Sequence, residues 1–313
     1  MATNRIDPQT RLGYVHLTVS DLGVALPFYT ATLGFRLHRR TGDTAWLGAG
    51  GEDLLVLTEN PGAKNPRHAT GLYHFAILVP SRLELARSLA RLAEVQAPLQ
   101  GFADHLVSEA IYLADPDGNG IEIYRDRPRS EWHDERGRLL MATDPLDVRG
   151  VLAELEGHPE SWKGLHPGTV LGHMHLQVSH VRPAEAFYRQ VLGMDVMINM
   201  GTASFVSAGG YHHHIGMNTW QSAGAPPPPA DSIGLRYFTV QLPGDESLRQ
   251  LMDRVYAAGI GLEETEQGLL VRDPSHNGLV LTTARRRRDA ESKAQETPER
   301  VEDAAVSVGA ARQ

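Results

Sequence analysis

Tyr14-Val-His-Leu-Thr-Val-Ser20 returns later in the chain as Met174-His-Leu-Gln-Val-Ser179, with His16 and His175 in register. At the same offset, 175 − 16 = 159, Phe28-Tyr29 meets Phe187-Tyr188, Leu33-Gly34 meets Leu192-Gly193, and Ala49-Gly-Gly51 meets Ala208-Gly-Gly210. Asp115-Pro-Asp-Gly-Asn-Gly120 returns as Asp273-Pro-Ser-His-Asn-Gly278, the offset changed by one residue. One half, about 115 residues long, is therefore used twice.

Each half divides again. Val15–Val19 alternates as a strand does, and Val24–Leu33 reads as a short helix closed by Gly34. Strands are expected at Arg36–Arg39, Thr44–Gly48 and Leu54–Thr58. The pattern then restarts with a strand at Tyr73–Val79 and a helix at Ser81–Val95. Ser81 and Glu84 form a capping box for that helix, and Leu85, Leu89 and Leu92 share one face of it. Strands at Pro98–Phe102, Val107–Leu113 and Gly120–Arg125 complete the unit. The unit is βαβββ. The fold class is α+β: four such modules, paired into two open barrels, 10–127 and 169–284. A charged join, 128–168, carries one helix near Pro145–Glu156, and Ala225-Pro-Pro-Pro-Pro-Ala230 is an exposed loop. Residues 285–313, opening with Arg285–Arg288, read as a disordered polar tail.

The chain has 313 residues, 41% hydrophobic and 22% charged, values of an ordinary soluble protein large enough for two domains. A net charge of −8 argues against nucleic acid as a partner. No apolar run reaches membrane-spanning length and the N-terminus lacks a signal-peptide core, so a cytoplasmic protein without a membrane partner is expected. Cysteine is absent, so disulfides and thiolate metal sites are excluded; fifteen histidines offer nitrogen ligands instead. Homo-oligomer formation is left open.

The chemistry gathers between Asp104 and Tyr124, where His105, Tyr112 and Glu122 stand among apolar residues and the turn at Asp115–Gly120. Glu122, between Ile121 and Ile123, faces away from both, toward solvent or a cavity. His16 and His74 open the first and second modules at equivalent strand positions. Paired about a pseudo-twofold axis, they would face one cup that Glu122 also reaches. Two imidazoles and a carboxylate on one octahedral face leave positions open for a chelating substrate and O₂, as in non-haem Fe(II) oxygenases. A strand histidine taken alone is a packing residue; two at equivalent repeat positions beside a glutamate point to a metal.

With these ligands the βαβββ repeat resembles the vicinal oxygen chelate superfamily, and about residues 10 to 285 resemble its two-domain catechol 2,3-dioxygenase branch. His105-Leu-Val-Ser-Glu-Ala-Ile-Tyr112-Leu-Ala-Asp115-Pro-Asp-Gly-Asn-Gly-Ile-Glu122 is similar to the extradiol ring-cleavage signature, with Ala103 a minor departure. The resemblance implies His16, His74 and Glu122 as ligands of Fe(II), with Mn(II) the alternative ion. It implies His105 and Tyr112 as catalytic groups beside the oxygens of a small aromatic diol, with O₂ the second substrate. A glyoxalase-type isomerase or lyase and a non-catalytic binding or resistance protein are the rival readings. In the second half His175 matches His16, but Phe238 and Val280 stand for His74 and Glu122, so no equivalent site is expected there. Tyr211-His-His-His214, read as a strand, leaves His212 and His214 on one face and His213 on the other. One of them, with His175, could hold a second metal or act as an acid. His68 is the nearest histidine to the strand Leu54–Thr58, which lacks one.

Overall fold

The structure is a computed structural model and describes residues 5–158 and 160–287. Residues 288–313 of the expected tail lie outside the described residues, while 284–287 form a turn of helix.

The four βαβββ units are present in order. The first contains β1 (Arg11–Val19), α1 (Leu22–Pro27), β2 (Arg36–Thr41), β3 (Thr44–Gly48) and β4 (Asp53–Glu59). The second contains β5 (Gly71–Leu78), α2 (Arg82–Glu94), β6 (Leu99–Asp104), β7 (Ser108–Ala114) and β8 (Gly120–Asp126). After α3 (Val148–Ala153) in the join, the third holds β9 (Val170–Gln177), α4 (Val181–Ala186), β10 (Asp195–Asn199), β11 (Ala203–Ser207) and β12 (Ile215–Asn218). The last holds β13 (Gly234–Leu242), α5 (Asp245–Ala257), β14 (Glu263–Thr265), β15 (Gly268–Arg272) and β16 (Gly278–Thr283). No helix among the described residues is long and apolar enough to cross a membrane.

Local chemistry accounts for the element ends. Ser81 caps α2 by accepting from the Glu84 amide at 3.2 Å, while the Glu84 side chain turns to Arg87 rather than back to the cap. The helix expected over Val24–Leu33 is α1 followed by a wider π turn at Phe28–Thr32. Gly34 ends it with a φ of 84°, and a Cβ there would run into Trp162 and Gly164 of the join. Glycine is thus required twice over at this position.

The modules pair differently from the expected division at 10–127 and 169–284. One sheet runs β14-β15-β16-β13-β1-β4-β3-β2 and the other β10-β11-β12-β9-β5-β8-β7-β6. The first module therefore shares a barrel with the fourth, and the second with the third. The antiparallel seams are β1 on β13 and β5 on β9. Each sheet spans both halves of the chain, and neither half closes a barrel alone.

Alternation along the strands sorts side chains between two faces. Val15, Leu17 and Val19 of β1, Phe75 and Ile77 of β5, Ile121 and Ile123 of β8, and Met174 and Leu176 of β9 join the main hydrophobic core. The alternate residues, among them His74, Glu122, His173 and His175, are turned the other way and are buried polar groups. The two barrels are tied by repeated contacts. Asp115 accepts from Tyr29 Oη at 2.8 Å and Asp273 from Tyr188 Oη at 3.1 Å, each bond joining the two modules of one half.

Candidate metal centre and cavity

The turn at Asp115–Gly120 sets the geometry of the site. Asp115 Oδ1 accepts from the amides of Asp117 and Asn119, and Oδ2 accepts from Asn119 Nδ2 at 2.8 Å. Gly120 passes so close to the Tyr73 carbonyl that a Cβ would collide with it. The hairpin so formed places Tyr112 directly opposite Glu122 across β7 and β8. In parallel register, β5 sets Ala76 beside Glu122, which leaves His74 on the same face. On the other side of β5, β9 pairs His175 with His74 and His173 with Ala76.

Three ligand groups converge there. Glu122 Oε2 lies 3.1 Å from His74 Nε2 and 3.1 Å from His173 Nε2, and the two nitrogens are 3.3 Å apart. All three residues are buried. Bonds of about 2.1 Å to a divalent ion would separate cis ligands on an octahedral face by about 3 Å, so this triangle fits such an ion. The charge states suit it as well. Burial lowers the pKa of His173, against the attraction of Glu122. Burial works against the Glu122 carboxylate, but His173 and His74 outweigh it and hold its pKa well below the usual range. His173 Nδ1 has no hydrogen-bond partner, an orphaned polar atom beside the triangle.

His16, expected as the third ligand, is placed elsewhere. Its strand sits between β13 and β4 in the other sheet, where its Nε2 meets Thr58 Oγ1 at 2.8 Å. Burial, helped by Arg236, lowers its pKa to about 3. The physical reason is the nested pairing: β9, not β1, lies beside β5. In that partner strand His173 and His175, two residues apart, share the face on which His16 was expected.

The other barrel keeps the same register without the ligands. His16 pairs with Tyr237 as His175 pairs with His74, so Tyr237, not Phe238, stands for His74. Tyr14 then stands for His173, and Val280, paired with Thr239, stands for Glu122. The two phenols face each other at 3.3 Å, and burial raises the pKa of both. Arg287, from the helical turn at the chain's described end, is buried over the Tyr14 ring and pairs with Glu52.

Around this candidate triangle lies a cavity of about 820 Å³. His105 and Tyr112 both line it. His105 Nδ1 donates to the Ala142 carbonyl at 2.6 Å, which fixes its tautomer, so Nε2 accepts from Tyr112 Oη at 2.6 Å. Burial first, then the charge of Glu122, raises the Tyr112 pKa well above the ordinary phenol value. The Ala142 contact comes from the join, which carried no signal of a role in the site.

The Tyr211–His214 run is a buried loop leading into β12 rather than a strand, so its histidines do not alternate as expected. His212 Nε2 donates to Asp126 Oδ1 at 2.8 Å, so its Nδ1 accepts from His213 Nδ1 at 2.9 Å. This chain orients His213, which lines the cavity with its ring centroid 4.2 Å from that of His173. Burial first, then its histidine neighbours, lowers the His213 pKa well below its usual value. His214 instead meets Ser207 at 3.0 Å. His175 accepts from Asn218 Nδ2 at 3.0 Å and lines the cavity outside the triangle. His68 stands at the mouth with φ 51°, its Nδ1 3.1 Å from the Gln221 carbonyl.

Residues 11–123 and 170–281 match the family model described as Glyoxalase/Bleomycin resistance protein/Dioxygenase superfamily. The chain is 48% identical over 281 residues to the catechol-2,3-dioxygenase of Bacillus subtilis (strain 168), covering 88% of this chain and 98% of that one. Among solved structures, glyoxalase I from Zea mays has a TM-score of 0.55 at 14% identity, over 92% of this chain and 95% of that one. The cppA protein of Streptococcus pneumoniae has a TM-score of 0.50 at 15% identity, over 90% and 99% of the two chains. The last two likenesses show the fold; the family match and the 48% relative show that the chain belongs to the Glyoxalase/Bleomycin resistance protein/Dioxygenase superfamily.

Proposed function

We propose that this protein is an extradiol dioxygenase that holds Fe(II), or Mn(II) in its place, through His74, His173 and Glu122, and opens the ring of a catechol-type diol with O₂. The observation that carries the reading is the triangle of two imidazoles and one carboxylate, with Tyr112 opposite Glu122 at the wall of the same cavity. The Bacillus subtilis relative, a catechol-2,3-dioxygenase at 48% identity, points the same way.

When bound, the ion would hold both oxygens of the diol and O₂ together and let electrons pass from the ring to oxygen. The chain's own groups do the rest. Tyr112, hydrogen-bonded to His105, lies where it can meet a diol oxygen and take part in removing its proton. The Ala142 carbonyl keeps His105 Nε2 as the acceptor, so a proton passed from Tyr112 has a base to receive it. His213, oriented by His212 and Asp126, lines the cavity and would stand beside the bound substrates as a group able to take or give a proton. Ala76, Ala110 and Tyr124 form a buried cluster against which Tyr112 packs, so the phenol is backed by apolar groups rather than water. Both atoms of O₂ enter the product, a semialdehyde of the muconate type, so no external reductant is needed.

A glyoxalase-type isomerase would favour a fourth protein ligand, and among the described residues the metal-binding group has three members. The test is anaerobic loading with Fe(II), then catechol, then air. Oxygen uptake with a yellow product supports the reading. Diol binding without oxygen uptake rejects it in favour of a binding protein, and thiol-adduct isomerisation restored by zinc or nickel would favour the isomerase.

A further inference from the structure

Resting on the dioxygenase reading, we infer that the cavity selects a diol whose ring carries a neutral apolar substituent, alkyl or aryl, over one that carries a carboxylate. Size is the first argument. At about 820 Å³ the cavity lies in the upper part of the range of roughly 300–1,000 Å³ that accommodates drug-sized ligands, far more than one ring with two hydroxyls occupies.

Among the polar and apolar groups on the walls beyond the triangle, three large apolar side chains stand well exposed. Phe102, Met200 and Trp220 are 37%, 55% and 52% exposed, and all three line this cavity. Phe102 lies on β6 and Met200 just beyond β10, the two edge strands of the sheet that carries the site. Trp220 follows β12, its ring 5.3 Å from that of Tyr73 and 5.5 Å from that of His175. Large apolar groups left in water and gathered at one mouth mark a surface that a ligand covers.

Charge is the second argument. Among the described residues lining the cavity there is no lysine or arginine, and Glu122 is the single carboxylate. A carboxylate on the substrate would give up part of its hydration against these walls without a lysine or arginine to meet it.

The test measures binding of catechol, a phenyl-substituted catechol and a dihydroxybenzoate to the Fe(II)-loaded protein by anaerobic calorimetry, and kcat/KM for each in air. The phenyl-bearing diol should bind roughly 10-fold or more tightly than catechol, and the dihydroxybenzoate more weakly than catechol. Trp220→Ala should lower the ratio of phenyl-bearing diol to catechol in both measurements. Met200→Arg, at an exposed position, should strengthen binding of the dihydroxybenzoate. A wild-type protein that binds the dihydroxybenzoate as tightly as the phenyl-bearing diol overturns the inference, as does an unchanged ratio in a folded Trp220→Ala protein. Should the binding order hold while none of the three is cleaved, the selectivity stands and the dioxygenase reading fails.

Discussion

The Nε2 atoms of His74 and His173 lie 3.3 Å apart although ninety-nine positions separate them, because β5 and β9 run antiparallel side by side. Glu122 reaches the same point from β8, on the other side of β5. One half of the chain supplies two corners of the triangle and the other half supplies the third.

This arrangement predicts which substitutions empty the site. His74→Ala, His173→Ala and Glu122→Gln should each purify with little iron after anaerobic loading, while His16→Ala should keep the wild-type content. His16→Ala should instead lower stability by about 1–2 kcal/mol, through loss of its buried bond to Thr58. Metal analysis per chain and denaturant melts separate the two effects. Iron lost from the His16 variant and kept by the His173 variant would reverse the assignment.

Tyr112→Phe removes a hydroxyl and little volume, so the cavity and the triangle should persist. Turnover should fall by roughly 10²-fold or more if the phenol handles a diol proton. Iron content and diol binding should stay within about two-fold of wild type, since neither His74, His173 nor Glu122 is touched. Single-turnover kinetics on the iron-loaded variant checks both halves of the statement.

Much of this was legible in the sequence because repeats and turns are local signals. The spacing from Tyr112 to Glu122 is that of a tight hairpin, and Asp115 with Asn119 builds that hairpin. Strand alternation likewise told which face His74 and Glu122 occupy. It could not tell which strand lies next to which. Four similar modules offer equivalent edges, so pairing first with second or first with fourth satisfies the same hydrophobic pattern. The first pairing would bring His16 to the site, whereas the observed one brings His173. The alternation of His173 and His175, two histidines on one face of a strand that would flank β5, was the signal that the nested pairing makes readable. The Ala142 carbonyl behind His105 had none, because a backbone group in a join is fixed only by the tertiary fold.

Nested pairing makes a prediction about fragments. A chain ended after residue 127 leaves β1 without β13 and β5 without β9, exposing two long sheet edges. It should be insoluble or unfold without cooperativity, and should bind no iron. Co-expression with residues 128–313 should restore both sheets. A soluble, cooperatively melting fragment 1–127 that binds iron would contradict the seams described for β1 and β5.

The proposed reading makes a graded prediction for His213, because His212 and Asp126 orient it. His213→Asn should lower kcat by roughly 10²-fold or more with iron retained. Asp126→Asn keeps the shape but removes the anion that holds the His212 proton. Its kcat should fall less, by about 10- to 100-fold. Equal losses in the two variants would mean that the residues serve packing rather than a proton path, and melts of both variants would show it.

Glu109 tests what holds the site's sheet to the join. Its carboxylate, 1% exposed, accepts from Arg82 Nε at 2.9 Å and from Arg125 Nε at 2.6 Å, and Arg82 also donates to the Gly150 carbonyl within α3. Burial opposes its ionisation, but the two guanidinium groups outweigh it and hold its pKa below the usual carboxylate value. Glu109→Gln leaves two cations short of a partner and should cost about 3–5 kcal/mol at pH 7. Because the folded pKa is depressed, the stabilisation is complete above the unfolded glutamate value of about 4.3 and is lost as pH falls through the folded value. Denaturant melts of wild type and variant should therefore differ by a constant amount from pH 7 to pH 5 and draw together below pH 4. A gap that stays constant through that acid range would mean that shape, rather than charge, makes Glu109 necessary.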